Sequence, residues 1–376
     1  MNKKRSAKKI TLPRIIISVI AFILIVGVLV LVAVNIRDLS FDSMGKTLKS
    51  WFSVGGRAET IEYGDKEPTA FAGASGGIVA ASKTGFIVFD KWGDKVVQSD
   101  VVMEKPVAIT NGTVSGIYDC GGYTLFTVDD KGNVGSYESR EKLVSVSVNE
   151  EGWFAICTEE ENYKGSVTVI NKKGDEVYKL YSGDGYILSA ELSSDSKMLL
   201  AVKLNSRGTQ IVEYSLDSEE EQAHIALPEQ VAVKCEYGGY GKISVLTDVG
   251  FYVYNTDGTL ENSYDFSGYD LDGFTLEDDG YSVIYCGAYL ADTRAYLATL
   301  DDYGNVIARQ ETAKTIVDIS AAGQYIAVLY TDGLTIYDKN LREHETCEIT
   351  NGANAVVMGS DGTAIVTSEY SAQVLG

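Results

Sequence analysis

Residues 152–174 read Gly-Trp-Phe-Ala-Ile-Cys-Thr-Glu-Glu-Glu-Asn-Tyr-Lys-Gly-Ser-Val-Thr-Val-Ile-Asn-Lys-Lys-Gly, and this stretch decides the fold. It opens on a glycine turn followed by an apolar strand, and it closes on the turn Ile170-Asn171-Lys172-Lys173-Gly174. An Asn or Asp opens such a hairpin through its side chain, and the glycine supplies the positive φ that closes it. The stretch therefore predicts short antiparallel strands separated by tight turns.

The opening turn recurs along the chain every 35 to 45 residues. Each copy has an acidic or small residue, then a glycine, then an apolar strand, and Ser196 marks a degenerate copy without the glycine. The glycines of the other copies are Gly77, Gly112, Gly152, Gly241, Gly280, Gly323 and Gly362. Such a period indicates a repeat architecture rather than a series of unrelated domains.

The closing turn follows each of the first seven opening turns. The hairpins near Leu216-Asp217 and Lys339-Asn340 lack its glycine. The complete copies occupy residues 89–93, 128–132, 170–174, 254–258 and 300–304. Two hairpins in every stretch of about 40 residues make one four-stranded unit, which is the spacing of a propeller blade.

Eight opening turns and seven closing turns leave the last unit one strand short. Its three strands are predicted at 353–359, 363–369 and 371–376, after which the chain ends. Residues Ala58 to Tyr63 alternate apolar and polar side chains ahead of the first unit, and we expect this strand to complete the last blade and close the ring. The fold class is thus all-β, a β-propeller over 58–376 with eight four-stranded blades. Seven blades is the alternative, if the unit around Ser196 is wrongly divided.

The repeated strand and hairpin also support a family resemblance. The segment from Gly323 to Val328 and the Asp-x-x-Gly hairpins are similar to those of WD-repeat and quinoprotein-type propellers. The whole layout resembles an uncharacterised family of membrane-anchored bacterial β-propellers of unknown function. The chain departs from both patterns. It has neither the Trp-Asp ending of WD repeats nor the regular Thr-Gly-x-x-x-Trp motif of the quinoprotein enzymes. No cofactor is therefore predicted.

A second feature, near the N-terminus, predicts a membrane anchor. Ile15 to Val34 is a run of twenty residues without a charge, and six basic residues precede it. A helix of that length spans a hydrocarbon core of roughly 30 Å, and the basic residues orient the N-terminus to the cytoplasm. A cleaved signal peptide is the alternative, but its apolar core is shorter, and Leu31-Val32-Ala33 is a poor cleavage site.

These patterns divide the chain into four parts. Beyond the anchor, apolar residues between Phe41 and Phe52 recur at helical spacing and predict a short amphipathic helix, lying either in the headgroup layer or against the domain. The predicted parts are a cytoplasmic basic tail at 1–14, a single-pass transmembrane helix at 15–35, a linker with the amphipathic helix at 36–57, and an extracytoplasmic propeller at 58–376.

The charge is distributed unevenly between these parts. The net charge is −21, and the first 38 residues hold seven basic residues and one acidic residue, so the remainder carries −27. A domain of that charge repels phosphate backbones, which argues against a nucleic-acid partner. The acidity itself is explained either by solubility or by a cationic partner.

The five cysteines are scattered at about one per repeat and form no close pair. An odd count in this arrangement is a poor disulfide framework, although one bridge stays open at this stage. They are Cys120, Cys157, Cys235, Cys286 and Cys347.

Residue types that carry catalysis or bind metals are sparse. His224 and His344 both lie in polar stretches without a neighbouring nucleophile or metal-ligand spacing, so neither catalytic nor metal residues are predicted. The carboxylate-rich segment 269–280 is interpreted as turn chemistry rather than a calcium loop. With 53 acidic residues, neighbouring carboxylates also arise by chance and do not by themselves indicate glycoside hydrolysis.

Tyrosines supply the candidate ligand surface. The chain has 24, and an aromatic face with a polar edge suits a glycan or peptide. The candidates are Tyr237, Tyr240, Tyr285 and Tyr289. The alternative interpretation is that tyrosine is simply a good strand former on half-buried blades.

Together these features predict a non-catalytic binding or scaffold module at the cell envelope. The expected partners are the membrane, through one span, and a protein or glycan. Two other functions stay open: an extracytoplasmic enzyme acting on envelope glycans through Asp and Tyr, and a structural subunit of an envelope complex.

Overall fold

The computed structural model describes residues 59–74, 77–218, 220–277, 280–288, 294–349 and 352–376. The predicted tail, transmembrane helix and linker, at 1–14, 15–35 and 36–57, lie outside these residues. Within the described ranges, no helix combines the length and apolar character that crossing a membrane requires.

The described residues form eight four-stranded antiparallel sheets, each one blade of a propeller. Blades 1 to 4 are β2 (Pro68–Ala74), β3 (Gly77–Ser82), β4 (Gly85–Phe89), β5 (Lys95–Ser99); β6 (Pro106–Thr110), β7 (Val114–Asp119), β8 (Thr124–Asp129), β9 (Val134–Glu138); β10 (Leu143–Val148), β11 (Phe154–Thr158), β12 (Gly165–Ile170), β13 (Glu176–Ser182); and β14 (Tyr186–Leu192), β15 (Met198–Asn205), β16 (Gly208–Ser215), β17 (Glu221–Pro228).

Blades 5 to 8 repeat the arrangement, and a 3₁₀ turn at Gly239–Gly241 joins the first two strands of blade 5. They are β18 (Ala232–Gly238), β19 (Lys242–Thr247), β20 (Gly250–Asn255), β21 (Leu260–Asp265); β22 (Tyr269–Glu277), β23 (Tyr281–Ala288), β24 (Tyr296–Asp301), β25 (Val306–Glu311); β26 (Ile316–Ala322), β27 (Tyr325–Tyr330), β28 (Gly333–Tyr337), β29 (Glu343–Cys347); and β30 (Ala353–Met358), β31 (Ala364–Ser368), β32 (Ser371–Leu375), β1 (Glu59–Glu62).

The closing strand lies where the sequence predicts it. β1 pairs antiparallel with β32, with Glu59 opposite Val374 and Glu62 opposite Ser371, and so becomes the outer strand of blade 8. This confirms eight blades and a ring closed by an N-terminal strand. Ile61 and Tyr63 are buried in the joint at 3% and 1% exposure, so the strand is packed as well as hydrogen-bonded.

Two of the three degenerate turns, at Ser196 and at Leu341, adopt the same backbone as the glycine turns. Ser196 has φ 56° and Leu341 has φ 55°, the left-handed region in which Gly152 (φ 78°) and Gly174 (φ 84°) also lie. In the turn at Ser196, the side chain of Asn149 from the neighbouring blade donates to the Ser196 hydroxyl oxygen at 2.7 Å. Such contacts help hold a residue in a conformation that disfavours side chains.

The core lies between neighbouring blades rather than within one of them. The middle strands β3, β4, β11 and β12 are buried along their whole length, whereas the outer strand β17 alternates exposed and buried residues. This is why the middle strands have nearly continuous apolar sequences while outer strands keep polar alternation.

Polar side chains of the inner strands join one blade to the next. In blade 3, Ser145 and Ser147 donate to the carbonyls of Leu188 and Ala190 in blade 4, at 2.9 and 2.7 Å. These bonds satisfy backbone acceptors on inner edges that no further strand covers.

The interpretation of the carboxylate-rich segment as turn chemistry is wrong for its first half. Residues 269–277 form the inner strand β22. The pairing of β22 with β23 shifts register between Leu271 and Gly273, so Asp272 is a bulged residue. An inner strand has one edge open to the central channel, which allows a carboxylate that a middle strand would exclude.

All five cysteines are free thiols. The disulfide left open by the sequence is not formed.

Candidate functional site

The meander topology gives the ring two distinct faces. We call the face that carries the strand 1–2 and strand 3–4 turns of each blade the proximal face, because Glu59 and Gly376 also lie there. The opposite face, where the inner strands begin and the strand 2–3 turns lie, is the distal face. Each face has its own opening to the central channel.

A ring of β-bulges surrounds the distal opening. Seven of the eight inner strands shift register at the second residue of the strand or close to it, and only the β6–β7 pair shows no shift. The bulged residues are Thr69, Val144, Leu188, Val233, Asp272, Val317 and Asn354. A bulge redirects one side chain out of the regular alternation. Asp272 is the one carboxylate among these seven positions.

Three bulged residues of neighbouring blades, Val233, Asp272 and Val317, line one cavity of about 470 Å³. We call it the acidic cavity, because four carboxylates line it. These are Asp248, Asp270, Asp272 and Asp318. Its remaining walls are largely apolar, formed by Leu271, Phe274, Tyr285, Ile316 and Ile319.

Two of the four carboxylates hold the fold together. Asp318 accepts the backbone N–H groups of Ile319 at 2.9 Å and of Val356, on the next blade, at 2.8 Å. Burial raises the pKa of Asp318, while these two bonds act in the opposite direction. Asp248 accepts the N–H of Val231 at 3.1 Å. Both carboxylates are therefore occupied by backbone donors.

The other two carboxylates, Asp270 and Asp272, are exposed. No ion pair of the described residues involves either of them. Burial and the negative charge of Asp270 both raise the pKa of Asp272. A Cβ placed on Gly287 would lie 1.9 Å from Oδ2 of Asp272, so glycine at this position leaves the space that the carboxylate occupies.

The predicted tyrosine surface is divided between the two channel openings. Tyr285 forms a wall of the acidic cavity at 8% exposure, and burial together with the charge of Asp272 raises its pKa. Tyr237 lines the proximal opening instead, where its hydroxyl donates to Glu213 at 3.0 Å. The side chain of Tyr240 and the whole of Tyr289 lie outside the described residues. Of the four candidates, the structure brings Tyr285 to the acidic cavity.

The proximal opening is larger, at about 1110 Å³, and all eight blades contribute to it. One ion pair among its charged groups joins two blades. Lys234 donates to Glu191 at 2.7 Å. Burial alone would lower the pKa of Lys234, but the neighbouring carboxylates Glu191 and Glu236 together outweigh burial and raise it. This opening therefore has its principal cation already neutralised.

Neither histidine is near a channel opening. His224 lies on β17 and His344 on β29, both outer strands, and both side chains are exposed. Among the residues that the structure describes, no group of three or more His, Cys, Asp or Glu side chains is arranged to hold a metal ion.

The profile of one protein family matches residues 57–375, which include every described blade. The chain belongs to DUF5711, a family of unknown function. No protein of curated function matches the chain. The family match confirms one part of the resemblance predicted from the repeats, namely that the chain belongs to a propeller family of unknown function.

Solved structures similar to this DUF5711 chain are propellers of widely different sequence. Sqt1 from Saccharomyces cerevisiae has a TM-score of 0.63 at 10% identity, over 86% of this chain and 99% of its own. The C-terminal WD40 domain of Sif2 has a TM-score of 0.61 at 11% sequence identity, and the match covers 85% of this chain and 99% of that domain. BamB from Moraxella catarrhalis has a TM-score of 0.57 at 14% sequence identity, and the match covers 85% of this chain and 99% of BamB. At these identities the likeness shows the fold alone.

Sequence reasoning missed the acidic cavity for a specific reason. The segment Asp270-Leu271-Asp272-Gly273 has the composition of a turn, and a bulge leaves no periodic signal in a single sequence. A comparison of blades would have given one clue. At the bulged position, aligned with Val233 and Val317, blade 6 of this DUF5711 chain has a charged residue.

Proposed function

We propose that this DUF5711 chain is a membrane-anchored, extracytoplasmic binding module that receives a cationic group of a protein partner in the acidic cavity. The observation that carries the proposal is the pair Asp270 and Asp272, which share an apolar-walled cavity and have no cationic partner among the described residues. Carboxylates in such surroundings gain most from a cation that arrives with its own apolar stem, as in an arginine or lysine side chain.

The size and chemistry of the acidic cavity fit a side chain of this kind. A cavity of about 470 Å³ lies within the range of small-ligand sites. The methylene stem of the ligand would contact Ile316 and Leu271, and the aromatic ring of Tyr285 offers a cation–π contact. A neutral glycan could donate its hydroxyls to these carboxylates but would not balance their charge, which favours a cationic protein side chain.

The sequence ahead of the propeller supports the anchored topology. The predicted span at 15–35 precedes β1, and β1 begins at the proximal face. The distal face, and with it the acidic cavity, is therefore on the side of the ring opposite the point where the chain enters. Six basic residues ahead of the span favour a cytoplasmic N-terminus and an extracytoplasmic propeller.

The ligand chemistry can be tested on the fragment 58–376, which forms a compact unit of its own. The probes are acetyl-Gly-Arg-Gly-amide and its citrulline counterpart, which keeps the shape and removes the charge, compared by saturation-transfer NMR. We expect binding of the arginine peptide and its loss in Asp272→Asn, with Glu67→Gln as a matched exposed-carboxylate control on the distal face. Equal binding of both peptides would overturn the proposed recognition.

The partner itself can be captured in intact cells with the full chain. A photo-crosslinking residue at Val233, 47% exposed in the cavity wall, should trap the partner. The same residue at Leu260, 53% exposed on the outer strand of the same blade, serves as the control and should not. Adducts of equal yield at both positions would contradict a partner on the distal face.

A second candidate function is hydrolysis of an envelope glycan. Asp270 and Asp272 are neighbouring carboxylates, and the pKa of Asp272 is raised. Glycosidases use such a pair, in which the carboxyl with the raised pKa acts as general acid and the other stays ionised. Turnover of cell-wall glycan by the fragment 58–376, abolished in Asp272→Asn and retained in Glu67→Gln, would establish the enzyme in place of the binding module.

A further inference from the structure

The proximal rim carries one strongly exposed tryptophan. Trp92 is 67% exposed at the tip of the turn between β4 and β5 in blade 1. The ammonium of Lys91 lies 4.8 Å from the centre of its ring, and Asp90 fixes the turn by accepting the N–H groups of Trp92 and Asp94 at 2.8 and 3.0 Å. An indole with a lysine beside it, held on a rigid hairpin, presents its surface to whatever adjoins this rim.

The tryptophan turn lies beside the strand by which the chain enters the ring. A Cβ placed on Gly93 would lie 3.3 Å from the side chain of Ile61 in β1, so the two segments are in contact. Glu59, the first described residue, is at the proximal end of the same strand. Trp92 therefore lies on the part of the rim next to the closing strand β1.

The strand 3–4 turns of the proximal rim fall into two arcs of different charge. The five-residue strand 3–4 turns at 90–94, 129–133, 171–175 and 338–342, in blades 1, 2, 3 and 7, are neutral in sum and each contains a lysine. The corresponding turns at 216–220, 255–259 and 301–305, in blades 4, 5 and 6, carry −6 and contain neither lysine nor arginine. The neutral arc is the one that flanks blade 8 and its closing strand.

We propose that the neutral arc, with Trp92 at its centre, rests in the headgroup layer of the bilayer that holds the chain. The inference rests on the membrane span of the proposed function and adds a docked orientation to it. Tryptophan is favoured at the level of the headgroups, and lysine can extend its ammonium to the lipid phosphates. The carboxylates of the acidic arc are repelled by the same lipid phosphates, so that arc tilts away.

The length of the predicted linker makes weak docking sufficient. Residues 36–57 number 22, and a chain of 22 residues reaches about 75 Å at most even when fully extended. Contact between the rim and the bilayer is then an intramolecular event at high effective concentration. One tryptophan and a few lysines can hold an orientation under these conditions, although they would bind a soluble domain to vesicles only weakly.

The orientation can be tested with the full chain in nanodiscs that contain lipid with a doxyl quencher near the headgroup. The background is Trp51→Phe with Trp153→Phe, which leaves Trp92 as the sole tryptophan. The control combines that background with Trp92→Tyr and Tyr303→Trp, which moves the probe to the matching turn position in blade 6. Tyr303 is 40% exposed, so the control probe is accessible as well.

We expect loss of emission from the Trp92 probe and none from the control probe. Equal quenching of the two, or quenching of neither, overturns the docked orientation. Alkaline carbonate extraction of membranes that contain the chain separates this outcome from failure of the anchor. Retention of the chain with unquenched Trp92 overturns the docking alone, whereas release of the chain overturns the anchor and the docking together.

Discussion

The hydroxyl of Tyr237 on β18 donates a 3.0 Å hydrogen bond to Oε1 of Glu213 on β16, a carboxyl only 4% exposed. The bond joins blade 5 to blade 4 at the proximal opening. Tyr237 thus directs its polar edge toward a buried carboxylate of the neighbouring blade rather than toward solvent.

Tyr237→Phe should therefore lower the stability of the propeller. The change leaves a buried carboxylate without its donor, which costs about 1–3 kcal/mol in the free energy of unfolding. Denaturant unfolding of the fragment 58–376 measures the loss. Tyr123→Phe, at a 48% exposed position, is the control and should be nearly neutral. Equal effects of the two changes would show that the bond to Glu213 contributes nothing.

The same carboxyl should make stability depend on pH. Burial raises the pKa of Glu213, so the folded state binds a proton at a pH where the unfolded chain has released it. Glu213 therefore destabilises the fold at neutral pH, and this penalty disappears as the pH falls through its raised pKa. Glu213→Gln should stabilise the protein at pH 7, with the gain over wild type shrinking on acidification. A gain independent of pH would contradict this assignment.

Ring closure by β1 should be visible in single substitutions. Ile61 is 3% exposed between the first and last blades, and Ile61→Ala should cost about 2–4 kcal/mol because it leaves a cavity in the joint. Glu62→Ala, at an exposed position in the same strand, is the control. Deletion of 57–65 should lower the melting temperature far more, since it opens the ring. An unchanged melting temperature would refute closure by this strand.

Binding of a cation in the acidic cavity should weaken on acidification. Since the pKa of Asp272 is raised, its negative charge is lost at a higher pH than that of an ordinary aspartate. The affinity for acetyl-Gly-Arg-Gly-amide should fall as the pH drops through that raised value, and added salt should weaken it further. Gly287→Ala should reproduce much of the loss at neutral pH, because a methyl group would displace the Asp272 carboxylate. A pH-independent affinity would exclude Asp272 from the site.

Thiol reactivity should divide the five cysteines into two groups. Cys157, Cys235 and Cys286 are completely buried, and burial raises the pKa of Cys157 to about 12 and that of Cys286 to about 11. A thiol reagent at pH 8 should label at most Cys120 and Cys347 in the folded chain and all five in denaturant, counted by mass spectrometry. Rapid native labelling of a third cysteine would show that a blade opens.

Much of the architecture was accessible to sequence reasoning because turns are local. The glycines and Asp or Asn residues of the two hairpin types set positive φ angles and side-chain caps within a few residues of each other, so their spacing marks out the blades. The alternation around Ile61 likewise identified the closing strand, since an odd strand count leaves an unpaired edge that must be covered. Even the turns at Ser196 and near Lys339-Asn340 could be recognised by their position in the repeat, although they lack the usual glycine.

The candidate sites depended on contacts between residues far apart in the chain. Only the closed ring brings Asp270 and Asp272 beside Asp248 and Asp318, and only a register shift turns Asp272 into the channel opening. Tyr237 lies near the end of the inner strand β18, and Tyr285 lies in the second half of the middle strand β23, so the direction of each strand assigns them to opposite faces. The sequence by itself determined the repeated blade and the strand that closes the ring, because these follow from local backbone preferences, and the structure decided for eight blades over seven. The tertiary structure decided which side chains meet at each opening, because that depends on register and on packing between blades.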